Sequence, residues 1–270
     1  MLDKLIISTS VVGGMGLVLG MGLSIASKMF EVKVDPRVAK VREVLPGANC
    51  GACGQTGCDA FAQCVVEGEC EINGCTVGGQ ELADKLGEIL GVKAQTVEEK
   101  VAKIMCGGTH EVCKSKFDYA GILDCAAAAN LFGGPSACTY GCVGLGDCVR
   151  ACPFDAIVIK DGLANIIESK CRACGKCVEA CPKNIIEMVL KKGRYSVSCS
   201  SMDKGGIVRK NCEVGCIGCR KCSKVCPTDA ISFAGTLAKI DTAVCINCGE
   251  CAAVCPTGAI ENKKNLKKCV

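Results

Sequence analysis

Twenty-eight of the 270 residues are cysteine, and their spacing says more than their number. Three times the chain reads C-x2-C-x2-C-x3-C-P: Cys171/Cys174/Cys177/Cys181, Cys216/Cys219/Cys222/Cys226 and Cys245/Cys248/Cys251/Cys255. Three thiolates on one tight loop can cap a face of a 4Fe–4S cubane. The cysteine before proline is directed away from that face and reaches a neighbour. Zinc asks for something different, two separated C-x2-C pairs closing one tetrahedron. A disulfide framework belongs to short secreted chains, and four thiols packed this closely suit pairwise bridging poorly. The compartment is therefore read as reducing.

A variant unit comes first in the chain: Cys138-x3-Cys142-x5-Cys148-x3-Cys152-Pro, with Gly144 and Gly146 in its longer loop. In bacterial ferredoxin runs the fourth cysteine ligates the other cluster of a pair. That rule predicts one cluster on Cys138, Cys142, Cys148 and Cys181, with its mate on Cys171, Cys174, Cys177 and Cys152. A second pair follows on Cys216, Cys219, Cys222 and Cys255, and on Cys245, Cys248, Cys251 and Cys226. Cys138 is the least firmly assigned of these sixteen.

A separate constellation, Cys50-Gly-Ala-Cys53-Gly-Gln-Thr-Gly-Cys58, lies further upstream, followed by Cys64, Cys70 and Cys75. Glycines between the thiols allow positive φ and close backbone approach, as a cluster loop requires. Spacing alone leaves the fourth ligand open. If Cys75 is that fourth ligand, five clusters leave eight thiols over: Cys64, Cys70, Cys106, Cys113, Cys125, Cys199, Cys212 and Cys269. A sixth 4Fe–4S cluster is expected on Cys106, Cys125, Cys199 and Cys212, where the spacer between the two double units passes the segment upstream of the first. Cys113 is the substitute ligand if one of these fails.

The elements that must position these thiols repeat. The Cys-Pro pairs at 152, 181, 226 and 255 are spaced by 29, 45 and 29 residues, and lead into PFDAI, PKNII, PTDAI and PTGAI. Self-similarity of this kind outranks local propensity. Strand-like pieces follow at 157–160 with 164–167, and at 231–233 with 237–240. Upstream, Asp35-Pro36 is a helix start expected to run to about Val44. Helical periodicity covers 81–90, and Thr96 with Glu99 suggests a capping box before a helix reaching Met105. Residues 5–27 carry no charge, and 23 such residues span a hydrocarbon core of about 30 Å. A cleaved signal peptide would have a shorter apolar region and a small-residue cleavage site. Lys28, Lys33, Arg37, Lys40 and Arg42 follow the span, against one lysine before it, so the positive-inside rule puts the cysteine-rich bulk in the cytoplasm.

The expected fold is α+β: a single-pass anchor in the cell (inner) membrane over 1–30, then a small, mostly helical 4Fe–4S domain over 31–95. A connecting segment over 96–137 and a spacer over 191–214 both contribute ligands. Two ferredoxin-like double-cluster domains cover 138–190 and 215–270. Aromatic content is 3% with no tryptophan. Metal binding therefore has to supply much of the folding energy. The formal charge of +4 counts cysteines as neutral. Six clusters, each about −2 with its four thiolates, would bring it to roughly −8. No nucleic-acid affinity follows from the lysines and arginines, which are dispersed and lack stacking aromatics.

Residues 50–75, GGPSACTYGCVGLGDCVRACPFDAI and SKCRACGKCVEACPKNII resemble the B subunit of the Rnf complex, over essentially the whole chain. That family is part of an ion-translocating ferredoxin:NAD oxidoreductase of bacterial membranes. The resemblance implies Cys75 as fourth ligand of the first domain, soluble ferredoxin as electron donor, and other subunits of a membrane complex and membrane lipid as partners. It leaves Cys64 and Cys70 as extra thiols. Its rivals are a polyferredoxin of another membrane complex such as a hydrogenase, a cluster-based oxygen sensor, which would need an output domain, and a zinc adaptor. His110, the sole histidine, reads as a loop residue, and the lysines at 263–268 as a solvated tail. No G-x-G-x-x-G follows a strand and no catalytic triad or carboxylate pair is legible, so no catalytic site and no NAD or flavin site is expected on this chain.

Overall fold

The computed structural model describes residues 2–29 and 35–262; Lys33, the lysine tail and Cys269 lie outside them. Helix α1 (Leu2–Met29) contains one stretch, Val12–Met29, long and apolar enough to cross a membrane. Val12, Leu17 and Leu23 stay about two-thirds exposed or more, so among the described residues nothing covers the apolar surface of this stretch. In water that face would be a liability; in hydrocarbon it is the requirement.

The first small domain is three helices. α2 (Pro36–Val44) starts at Asp35, whose side chain accepts from the Arg37 N–H, and carries proline in its first turn. α3 (Cys58–Glu67) and α4 (Gly79–Leu90) pack on it through Val41, Phe61, Val65, Leu82 and Leu86. Both end on glycines in the left-handed region, Gly68 and Gly91. The 36–44 and 81–90 helices match expectation. The helix expected over 96–105 does not form. Those residues give β1 (Lys100–Ile104), pairing antiparallel with β4 (Ile186–Leu190) from Lys100↔Leu190 to Ile104↔Ile186. Ala102 and Ile104 bury against the first double unit, and that long-range pairing outweighs the local cap. Glu99 pairs instead with Lys191.

Downstream come α5 (Cys125–Asn130), α6 (Asp147–Arg150), β2 (Ile157–Lys160), β3 (Leu163–Ile166) and α7 (Lys176–Glu179), leading into β4. β2 and β3 form a hairpin, Ile157↔Ile166. The second unit repeats this plan with β5 (Tyr195–Val197), α8 (Gly205–Asn211), α9 (Lys221–Lys224), β6 (Ile231–Ala234), β7 (Leu237–Ile240), α10 (Glu250–Ala253) and β8 (Ile260–Asn262). Here β5 pairs with β8 and β6 with β7. Both hairpins fall on the segments expected to be strand. In each unit, then, a first strand pairs with the last one, and a segment bearing cysteines is inserted after that first strand.

The two inserts meet. Cys113 and Cys212 form an antiparallel bridge, Lys114 N–H donates to the Asn211 carbonyl, and Glu213 N–H donates to the Val112 carbonyl. The Ser200 hydroxyl donates to the Met105 carbonyl at 2.7 Å. Buried Lys103 lies 3.7 Å from Glu261, joining β1 to β8 across the same junction.

Candidate metal centres

Each four-residue helix in the double units carries the third cysteine of its motif as its second residue. Cys148, Cys177, Cys222 and Cys251 are all buried, while the other motif thiols stay partly open. The helices are aimed by backbone in the left-handed region. Gly146, Gly175, Arg220 and Gly249 precede them at φ +86, +79, +57 and +89. Arginine is costly there; its guanidinium sits 5.1 Å over the Phe233 ring, a contact that offsets the strain.

The thiols gather in rings. Cys50, Cys53, Cys58 and Cys75 line one cavity of about 340 Å3 closed by Leu45 and Phe61. Cys216, Cys219, Cys222 and Cys255 line a second of the same volume, about 340 Å3. Cys226, Cys245, Cys248 and Cys251 line a third of about 310 Å3. Cys152, Cys171, Cys174 and Cys177 are mutual electrostatic neighbours. The last three groupings are those that motif spacing predicts, and the first is the one with Cys75 that the family resemblance implies.

The remaining cysteines are grouped differently from the expected sets. Cys142, Cys148 and Cys181 share a cavity of about 370 Å3 with Cys125, not Cys138. Cys125 opens α5, capped by Asp124, and its N–H donates to both Asp147 carboxylate oxygens at 3.0 Å. Cys138 lines the junction cavity, about 480 Å3, together with Cys106, Cys113, Cys199 and Cys212, and Cys142 borders both cavities. Gly108 lies among three of these thiols: a Cβ there would be 3.3 Å from Cys113 Cβ, 3.6 Å from Cys212 Sγ and 3.7 Å from Cys106 Sγ. So Cys106, Cys199 and Cys212 converge as the spacer reasoning expects, while Cys125 and Cys138 stand in each other's expected places. The asymmetric spacing of the variant unit is the one sequence signal of this.

Backbone N–H groups serve the sulfurs. Cys142 N–H donates to Cys106 Sγ (3.5 Å), Ala156 N–H to Cys152 (3.4 Å), Ser201 N–H to Cys199 (3.5 Å) and Asn247 N–H to Cys245 (3.4 Å). Without metal, burial makes several of the ring thiols harder to ionise, Cys106 and Cys199 among them. Burial pushes Cys106 and Cys148 up to about 12, and Cys177 and Cys251 up to about 11. Cys113 and Cys212 share a proton, which eases the ionisation of Cys113 and holds the proton on Cys212. Cys255 is held below its ordinary range: burial opposes this, but N–H donors from Thr257, Ile260 and Ala259 outweigh it. Buried thiols whose ionisation is mostly opposed by burial and would be favoured by bound cations, with N–H donors aimed at several sulfurs, fit iron–sulfur clusters. Among the described residues no three His, Cys, Asp or Glu side chains close tightly enough to hold a single metal ion; the thiols ring larger spaces. His110 is exposed, with its ring against Gly162, and lies near enough to Cys113 to be its electrostatic neighbour.

These rings on paired ferredoxin-type units define a multi-cluster iron–sulfur protein. Family models agree: residues 45–77 match one described as "Putative Fe-S cluster", and 136–186, 170–230 and 215–259 match 4Fe-4S dicluster domains. The chain is 46% identical to the B subunit of the Na(+)-translocating ferredoxin:NAD(+) oxidoreductase complex of Acetobacterium woodii, over 89% of this chain and 73% of that one. It is 43% identical to the B subunit of an ion-translocating oxidoreductase complex of Methanosarcina acetivorans, over 89% and 92%. The B subunit of a proton-translocating ferredoxin:NAD(+) oxidoreductase complex of Clostridium ljungdahlii is 42% identical, over 85% and 81%. The chain belongs to the family of B subunits of ion-translocating oxidoreductase (Rnf) complexes, and is an iron–sulfur electron-transfer subunit.

Proposed function

We propose that this chain accepts electrons from reduced ferredoxin and relays them through six 4Fe–4S clusters to membrane partners of an ion-translocating ferredoxin:NAD oxidoreductase. The carrying observation is the order of the thiol rings. Cys50 of the first domain is an electrostatic neighbour of Cys174, and Cys177 of Cys148. Cys142 N–H donates to Cys106 Sγ, Cys138 is an electrostatic neighbour of Cys199, Cys199 of Cys216, and Cys222 of Cys251. The rings therefore stand in one series from the domain after the anchor to the C-terminal unit.

In this reading one cluster is held by Cys50, Cys53, Cys58 and Cys75, and a second by Cys152, Cys171, Cys174 and Cys177. Cys125, Cys142, Cys148 and Cys181 hold a third. Two more lie on Cys216, Cys219, Cys222 and Cys255, and on Cys226, Cys245, Cys248 and Cys251. Four of Cys106, Cys113, Cys138, Cys199 and Cys212 close the junction site. A bound cluster supplies one-electron redox chemistry. The chain's own residues set spacing and burial and direct N–H groups to sulfur, which tune potential. The domains then run 31–95, 100–190 and 195–262, each double unit beginning at its first strand. No bond of a substrate is made or broken on this chain.

Ferredoxin docks at the C-terminal unit, where Cys219 and Cys248 are exposed and Arg220, Lys221 and Lys224 offer positive charge to an acidic carrier. Electrons then run toward the anchored end, whose helix lies in lipid with the clusters on the cytoplasmic side. Anaerobically purified protein should hold about 24 iron atoms per chain, against about 20 for five clusters. Reduced ferredoxin should reduce it, and charge reversal at Lys221 and Lys224 should slow that step without loss of iron. Protease added to right-side-out vesicles should spare 35–270. An iron content near 20, or a ferredoxin rate indifferent to those lysines, would overturn the corresponding part.

A further inference from the structure

The first domain carries a second pair of sulfurs that no thiol ring uses. α3 ends at Gly68, φ +80, where the chain reverses. The N–H groups of Glu69 and Cys70 then donate back to the Cys64 carbonyl at 3.0 and 3.3 Å. Backbone alone thus brings Cys70 beside Cys64, and the two are joined as a disulfide six residues apart, with Cα atoms 5.3 Å apart. Both are half-buried at the edge of the domain core. Gln55, inside the loop between Cys53 and Cys58, reaches both sulfurs: its Nε2 donates to Cys64 at 3.4 Å and to Cys70 at 3.2 Å.

We propose that Cys64 and Cys70 are a reversible dithiol–disulfide site, separate from the cluster ligands, and that Gln55 couples its state to the neighbouring cluster loop. The coupling rests on the reading that Cys50, Cys53, Cys58 and Cys75 hold a cluster. The turn is held by hydrogen bonds that do not need the bridge, so opened thiols stay poised to close again. Reduction by a dithiol breaks the S–S bond. Two electrons and two protons pass from the reductant's thiols to Cys64 and Cys70, and the reductant leaves as its own disulfide. A disulfide oxidant reverses the step. Opening lets the two sulfurs rotate apart, so the Gln55 amide no longer spans both at once and the tether on the 53–58 loop weakens.

The test uses the full-length, cluster-loaded protein in detergent, equilibrated anaerobically in mixtures of reduced and oxidised dithiothreitol. It is then alkylated with N-ethylmaleimide, digested and analysed by mass spectrometry. Cys64 and Cys70 should gain label together as the mixture becomes more reducing. Gln55→Leu should shift the equilibrium toward the dithiol by about 2- to 10-fold, the worth of a neutral hydrogen bond or two. The electron paramagnetic resonance signal of the first-domain cluster should differ between the two states in the parent chain, and not in a Cys64→Ser/Cys70→Ser variant. Label on one cysteine without the other, on both in every mixture, or on neither, overturns the site. An unchanged constant in Gln55→Leu overturns the coupling. If the first domain held no cluster, Cys50, Cys53, Cys58 and Cys75 would take label in every mixture, so that failure is read separately.

Discussion

The exchange of Cys125 and Cys138 between two thiol rings makes a sharp prediction. Cys125→Ser is a gentle change: the backbone N–H that donates to Asp147 is kept, and so is the Asp124 cap on Ala127. Only a thiolate at the cavity shared by Cys142, Cys148 and Cys181 is lost. If Cys125 is the fourth ligand there, iron should fall by about four atoms per chain, from about 24 to about 20. The resonance signal lost should be the one that Cys148→Ser also erases. The partner cluster on Cys152, Cys171, Cys174 and Cys177 should lose its magnetic splitting while keeping its iron. Cys138→Ser should leave the signal that Cys148→Ser erases in place, because Cys138 lines the junction cavity instead. The reasoning fails if Cys138→Ser and Cys148→Ser erase one and the same signal while Cys125→Ser keeps it, because spacing alone would then have assigned the ligands correctly.

Three further outcomes are expected. Gly144→Ala puts a Cβ 2.3 Å from the Gly162 carbonyl oxygen at a backbone φ of +80; left-handed strain of about 1–2 kcal/mol adds to that clash, and thermal release of iron should begin at lower temperature. Asp147→Ala removes the carboxylate that accepts the Cys125 N–H and pairs with Arg150; it should cost about 1.5–3 kcal/mol and raise the potential of the adjacent cluster in a redox titration, since a negative charge is lost. In the iron-free chain, burial raises Cys106 and Cys148 from 9.0 to about 12. Thiols in the unfolded chain ionise first, so residual fold is favoured below 9.0 and lost as pH rises through the window toward 12. Circular dichroism of iron-free protein should fall across that window while the loaded protein holds, and a pH-indifferent iron-free spectrum would count against burial as the cause.

Much of this was legible because short-range chemistry dictated it. The three regular C-x2-C-x2-C-x3-C-P runs prescribe their own rings, and Asp35-Pro36 prescribes the start of α2. Two things were not legible, for one reason. The Thr96–Glu99 cap is a local signal, overridden by pairing of β1 with a strand more than eighty residues away. The place of Cys125 is likewise set by contact with Asp147, across 22 residues. Loop spacing in 138–152 showed that something differed there, but not which thiol filled the gap. The joined pair Cys64–Cys70 was visible only as surplus, since its partnership depends on how the chain turns after Gly68.

Cys106 stands two residues past the end of β1, and Cys199 two residues past the end of β5. The duplicated unit has thus put one thiol in the same structural place twice, and both copies line the junction cavity. The segments bearing them are also the segments that fasten the two halves. The contacts that fasten the halves and the thiols that line the junction cavity therefore share one place. If the rings carry electrons in the proposed series, every electron crosses this joint, and a strain that parts the two halves would interrupt the passage between the two double units.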